Sequence, residues 1–214
     1  MNVNRKTFAA IAVLLSAGML SWAVQAGDAA LYGPAAPKGS AFVRLYNAAA
    51  QEADANVGAI RFGEVDPQDS TDFNFLPAGD YDARVGEQAV ALRLEADHYY
   101  TLVNLPNGAP VLVEEPPFKN RQKALLRVQN LSAVSLSLKT ADGRTPVVEN
   151  VAPQGRGERE VNPVKVSLAL FDGERKISDL KPVALERGEA VCLFITGGNG
   201  KLLPVWVKRL PKAD

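Results

Sequence analysis

The sequence predicts an all-β protein: two tandem β-sandwich domains behind a cleaved export signal. Three observations carry that expectation. Beyond residue 26 the apolar residues do not recur at helical spacing; they fall in short runs rich in Val, Leu, Phe, Tyr and Thr. Clusters of Gly, Pro, Asn and Asp separate the runs. The runs also form two similar sets, divided by Glu114-Glu115-Pro116-Pro117.

The export signal comes first in the chain. Arg5 and Lys6 precede an apolar run from Phe8 to Leu20, and small residues follow, with Val24 and Ala26 placed for a cut after Ala26. The rival reading is a membrane anchor, but the run falls short of the roughly 20 residues that span a bilayer. Removal of residues 1–26 takes away two cations, so the remaining chain carries a charge of about −2. No Cys stands near the cut to accept a lipid.

Residues 27–40 read as an N-terminal arm and 41–113 as the first sandwich. The expected strands there are 42–47, 57–62, 72–76, 81–85, 89–94, 99–104 and 111–113. Residues 114–122 read as a linker, because two prolines fix φ and donate no hydrogen bond. Residues 123–214 read as the second sandwich, with strands at 124–130, 134–140, 147–151, 156–161, 165–171, 190–196 and 202–208. Asp142-Gly143, Asp172-Gly173 and Gly197-Gly198-Asn199-Gly200 supply turns. The halves are faintly self-similar: Ala41-Phe42-Val43-Arg44-Leu45-Tyr46-Asn47 aligns with Ala124-Leu125-Leu126-Arg127-Val128-Gln129-Asn130, and Leu94–Leu102 with Leu185–Leu193. Duplication explains this, and so does chance likeness between generic strands.

Composition excludes several function classes. The 214 residues hold 24 Lys and Arg against 24 Asp and Glu, too balanced for a nucleic-acid binder that relies on clustered cations. One His and one Cys cannot build a metal site rich in those ligands, and no cofactor is expected. Cys192, within Ala190–Ile195, reads as a small buried hydrophobe. His98 sits in a polar turn before a strand. Glu95 stands three residues before it, as in Gly-Asp-Ser esterases and acyltransferases, but Gln68-Asp69-Ser70 lacks the Gly and strand–helix alternation is missing. The carboxylates of Asp66–Asp82 and the Glu114-Glu115 pair read as turn and surface residues rather than a glycosidase pair or a Ca²⁺ loop. The glycine-rich 197–200 segment precedes a strand, not the helix that a phosphate loop requires. No catalytic residue and no metal ligand is therefore named.

Binding residues are named instead. Side-chain alternation places Val43 and Leu45 opposite Phe42, Arg44 and Tyr46, so Arg44 and its counterpart Arg127 share the other face of their strands. There they are expected as partly solvated stems, or as ligand contacts. Lys119, Arg121 and Lys123 put three cations just after the Glu-Pro segment, a solvated flank or a contact for carboxylates. Tyr99 and Trp206 are amphipathic aromatics suited to interfaces and sugar faces; alternation buries one of Tyr99 and Tyr100, so at most the other is available.

Ala30-Leu31-Tyr32-Gly33-Pro34 followed by Ser40-Ala41-Phe42-Val43-Arg44-Leu45-Tyr46-Asn47 resembles the AlgF family of alginate O-acetylation accessory proteins of pseudomonads. The signal peptide, the length and the two β-rich halves are similar too. The resemblance implies a periplasmic protein required for adding O-acetyl groups to alginate. It would be a noncatalytic adaptor whose partners are a membrane acyltransferase and the periplasmic alginate acetyltransferases. The family supplies no catalytic motif to carry over. Two alternatives stay open: a glycan-binding module that presents polymannuronate, using Lys119, Arg121, Lys123, Arg156 and Arg159, and a carrier transiently acetylated on a Ser or His98.

Overall fold

A computed structural model describes residues 36–198 and 201–209, and among them no helix forms. The described residues form eighteen strands. The first eight are β1 (Ser40–Asn47), β2 (Ala53–Val57), β3 (Ile60–Val65), β4 (Asn74–Pro77), β5 (Gly79–Val85), β6 (Gln88–Leu94), β7 (Tyr99–Asn104) and β8 (Val111–Glu114). The rest are β9 (Ala124–Asn130), β10 (Leu136–Thr140), β11 (Pro146–Val151), β12 (Gly155–Val161), β13 (Val164–Val166), β14 (Leu168–Asp172), β15 (Arg175–Asp179), β16 (Val183–Leu185), β17 (Ala190–Gly198) and β18 (Lys201–Arg209). The export signal and most of the 27–40 arm lie outside the described residues.

Several strands differ from the sequence expectation. Residues 57–62 are not one strand: Val57 pairs with Ile60 across a tight hairpin whose first turn residue is Gly58 at φ 55°. Glycine at that position allows a turn matched to strand twist. Residues 165–171 also divide, into β13 and β14, and β13 pairs with the short strand β16. Asp172-Gly173 does make a hairpin, into β15, which the mixed polar pattern of Arg175–Asp179 conceals.

The chain builds the same two-sheet unit twice. In the first half one sheet runs β4-β1-β7-β8 and faces a second, β3-β2-β5-β6; in the second half the orders are β12-β9-β17-β18 and β11-β10-β14-β15. Each half contains one parallel pair, β1 with β7 and β9 with β17, amid antiparallel neighbours. The small β13–β16 ribbon is peculiar to the second half. Each half has its own core: Val43, Leu45, Val57, Leu92 and Leu102 in the first, and Leu126, Val128, Leu138, Leu170 and Leu193 in the second.

Fine detail repeats as well. Asn47 donates from Nδ2 to Gln51 O and Val65 O at 2.7 and 2.9 Å, and Asn130 does the same to Val134 O and Val151 O at the same two distances. Their Oδ1 atoms accept from Ala49 N and Ser132 N, both at 3.1 Å. Glu64 and Asn150, and Gln68 and Gln154, share left-handed backbone at matching positions. Asp97 (φ 64°) and Gly188 (φ 73°) also match, and each donates its amide at 2.8 Å to the residue just before the Ala that opens the aligned strand, Ser40 and Lys123. So many coincident backbone devices go beyond generic strand likeness and make the halves structural repeats.

The described residues form one compact unit. A third apolar cluster joins the sandwiches: Tyr46, Val103 and Val113 from the first meet Leu131, Cys192, Phe194 and Val207 from the second. The β1 and β9 sheets therefore lie back to back, giving four layers.

Candidate functional site

The contact between the sandwiches gathers the most concentrated polar chemistry in the fold. Arg44 on β1 and Arg127 on β9 both point out of their own sandwich, as alternation requires. Each is only 2% exposed, because the other sandwich covers that face. This corrects the expectation of solvated stems: alternation identifies the face, but not what packs on it.

Glu115 lies between them, also 2% exposed. Its Oε1 is 2.5 Å from Arg44 Nη2, and its Oε2 is 3.8 Å from Arg127 Nη1. Thr101 Oγ1 donates a short hydrogen bond to the same carboxylate and accepts from Arg44 Nε at 2.8 Å. Arg127 Nε donates to Glu158 Oε1 at 2.7 Å and its Nη2 to Pro116 O at 2.8 Å. The Arg44 guanidinium also lies 4.5 Å over the Phe73 ring. Two cations thus meet two carboxylates, and the groups left over find hydroxyl, carbonyl or ring partners. That is the condition under which charges tolerate burial. The arrangement is a weld rather than a pocket, so Arg44 and Arg127 are not open to an incoming ligand.

The Glu115 and Glu114 carboxylates part company because neighbouring strand residues face opposite ways. Glu115 enters the weld, while Glu114 Oε1 meets His98 Nδ1 at 2.9 Å on the surface. His98 Nε2 lies 3.9 Å from Glu95, and the ring stacks at 6.2 Å on Tyr100. Among the described residues its ring nitrogens meet the carboxylates of Glu114 and Glu95, and no hydroxyl is placed as a nucleophile. Cys192 sits inside the interdomain core, where burial and the Glu115 charge push its thiol well above the ordinary value. It is thus held as the neutral, unreactive form. Among the described residues no three of His, Cys, Asp and Glu converge as metal ligands.

The remaining sequence-selected residues scatter. Tyr99 is buried, stacked 4.4 Å from Phe42 and edge-on to Phe73 at 5.3 Å. Tyr100 is buried too, with its hydroxyl accepting from Glu95 N at 3.1 Å. Tyr99, named for binding, is therefore not available to a partner, because both faces of β7 are covered. Trp206 is half-buried against the second core and donates its indole N–H to Lys181 O at 3.1 Å. Lys119 and Arg121 are exposed on the connection, while half-buried Lys123 donates to Asn162 Oδ1 at 2.7 Å. What sequence reasoning missed is Glu115, read as linker, and Gln129, read as an ordinary strand residue. The sequence signal for Glu115 was indirect: two aligned arginines on outward faces, which need a counter-charge once buried.

A cleft of about 300 Å³ opens beside this weld, walled by Val111–Glu114 on one side and Gln129, Leu131, Gln154 and Arg156 on the other.

Sequence comparisons with known proteins point to one family. The family described as "Alginate O-acetyl transferase AlgF" matches residues 12–192. An "Alginate biosynthesis protein AlgF" of Pseudomonas aeruginosa is 60% identical over 211 residues, covering 99% of this chain and 98% of the relative. The Azotobacter vinelandii protein of the same name is 64% identical over 183 residues, covering 86% of this chain and 84% of the relative. Among solved structures, the C-terminal domain of AlgF from P. aeruginosa is 70% identical, covers 41% of this chain and 99% of its own, and has a TM-score of 0.39. The corresponding N-terminal domain is 49% identical, covers 38% and 99%, and has a TM-score of 0.34.

Proposed function

Because the chain belongs to the AlgF family of alginate biosynthesis proteins, we propose that it is a noncatalytic periplasmic adaptor for O-acetylation of alginate. It would link a membrane acyltransferase, on the acetyl-donor side, to the periplasmic acetyltransferases that modify the polymer. The observation that carries this reading is the buried Arg44–Glu115–Arg127 weld. An adaptor raises the effective concentration of two partners only when its binding surfaces keep their spacing. Two sandwiches joined by a charged and apolar contact meet that requirement, and each keeps an outer sheet and free strand edges for docking.

The family's description names a transferase, which would need an activated nucleophile with a base in reach. His98 between Glu95 and Glu114, and the buried neutral Cys192, favour the adaptor over that reading. The test is recovery of bound proteins from periplasmic and membrane extract by the purified protein, with a parallel titration of acetylated and unacetylated mannuronate oligomers. The adaptor predicts recovery of acetyltransferase components without oligomer binding. Oligomer binding that disappears when Lys119, Arg121 and Lys123 become Ala would replace it with a glycan-presenting module.

A further inference from the structure

Strand β8 is the free margin of its sheet. Glu115 N donates to Tyr99 O at 2.7 Å, so residues 99 and 115 form a bonded pair in the ladder. Bonded and non-bonded pairs alternate in an antiparallel ladder. Val113 and Val111 therefore bond to β7, while Leu112 and Glu114 turn their N–H and C=O groups off the sheet. The Glu114 carbonyl accepts from Arg156 Nη1 of the second sandwich at 3.2 Å, as this phase requires. Among the described residues, the amide and carbonyl of Leu112 and the amide of Glu114 have no partner.

The cleft lies along this margin. On its far wall Gln129 is only 7% exposed, and its side-chain amide makes no hydrogen bond among the described residues. Neighbouring Gln154 is already committed, donating to Leu131 O at 3.2 Å. The Gln129 amide, with two donors and an acceptor oxygen, is not sealed from solvent like the buried Tyr46 and Thr196 hydroxyls; it opens on the cleft it lines. The Gln129 amide and the open backbone thus line the same cleft with hydrogen-bonding capacity not used among the described residues.

We propose that this cleft is a strand-docking slot, in which an extended segment of a protein partner adds to β8 as a fifth strand. The Leu112 and Glu114 groups supply the main-chain hydrogen bonds, and Gln129 bonds a peptide group or short polar side chain from the far wall. An extended polypeptide is the occupant because it presents donors and acceptors at strand spacing, as an open edge does. The lining carries no aromatic ring on which a sugar face could stack. The inference rests on the adaptor reading only for where to look for the segment.

The test uses the full protein and arrays of overlapping synthetic peptides covering the exported portions of the alginate acetyltransferases. Leu112→Pro removes an outward N–H while sparing the bonds to β7, a position where an edge strand tolerates proline. Gln129→Leu removes the amide at similar volume, and keeps the test alive if the proline variant does not fold. The slot predicts peptides that slow amide exchange at Leu112 and Glu114, and whose affinity falls about tenfold in each variant. Glu87→Ala, exposed in the turn after β5, should bind them unchanged. Four results overturn the slot: peptide binding indifferent to both variants, no peptide binding, protection of these amides by mannuronate oligomers, or protection by self-association lost in Leu112→Pro. If acetyltransferases are still recovered in the second case, the adaptor reading survives and only the slot falls.

Discussion

Arg44 and Arg127 occupy the same position in the two repeats, and both guanidinium groups turn onto one carboxylate, that of Glu115. The repeats are therefore related not only by topology but by a shared counter-charge at their junction. Position 101 on β7 corresponds to position 192 on β17, opposite Arg44 and Arg127 respectively. There the symmetry breaks: Thr101 bonds Glu115, while Cys192 packs in the apolar cluster. One carboxylate needs one such hydroxyl, which leaves the other position free for packing.

Removing the carboxylate alone should be severe. Glu115→Ala leaves two guanidinium groups buried without their common partner, and should cost about 3–5 kcal/mol in urea unfolding. Replacing Arg44, Glu115 and Arg127 together by Met, Leu and Met should cost less than the single change, since no unpaired charge remains. A single-variant cost under about 1 kcal/mol would show that the weld is solvated in solution.

The repeated asparagines should be equally important. Asn47→Ala and Asn130→Ala each strip matching carbonyl and amide partners from a buried loop, and each should destabilise by about 2–4 kcal/mol. Chemical denaturation of both variants checks this. A gap of more than about 2 kcal/mol between them would mean that the common geometry does not carry common energy.

Gly157 on β12 has no room for a side chain: a Cβ there would sit 2.5 Å from Val148 Cγ1 and 2.8 Å from Val151 Cγ2. Gly157→Ala should lower stability by about 1–3 kcal/mol through overpacking between the two sheets of the second sandwich. Thermal unfolding unchanged from the parent would contradict that.

Alkaline pH should weaken the fold. Burial pushes the Cys192 thiol well up, with Glu115 adding to it, and burial also raises the Tyr46 hydroxyl. With the folded pKa above the unfolded one, stability is full below the ordinary thiol value of 9.0 and is lost as pH rises beyond it, because the unfolded chain releases protons that the native chain keeps. Cys192→Ala should show a shallower loss between pH 7 and about 10 than the parent. Parallel curves would remove the thiol from the account. In the native parent, Cys192 should also resist thiol reagents that label it at once in denaturant.

Much of this was legible in the chain. Val43 and Leu45 fall in one core, and Leu126 and Val128 in the other, as period-2 alternation requires. The Asp172-Gly173 turn and the aligned 41–47 and 124–130 strands also stand where their local chemistry puts them. What failed did so for local reasons: Gly58 marks a hairpin without the usual Asn or Asp beside it, and β13, β15 and β16 are too short or too polar to be recognised.

The sequence by itself determined that the chain is all-β, that it consists of two like halves, and that Arg44 and Arg127 face away from their own cores. These are consequences of backbone periodicity and turn chemistry, which act over a few residues. Only the tertiary structure decided that those outward faces meet, that Glu115 balances both arginines, and that Tyr99 and Tyr100 are both covered. The open edge of β8 beside Gln129 was decided there as well. Side-chain alternation gives each face a direction but says nothing of what lies beyond it; the counter-charge of Arg44 stands 71 positions along the chain, in the connection to the other sandwich.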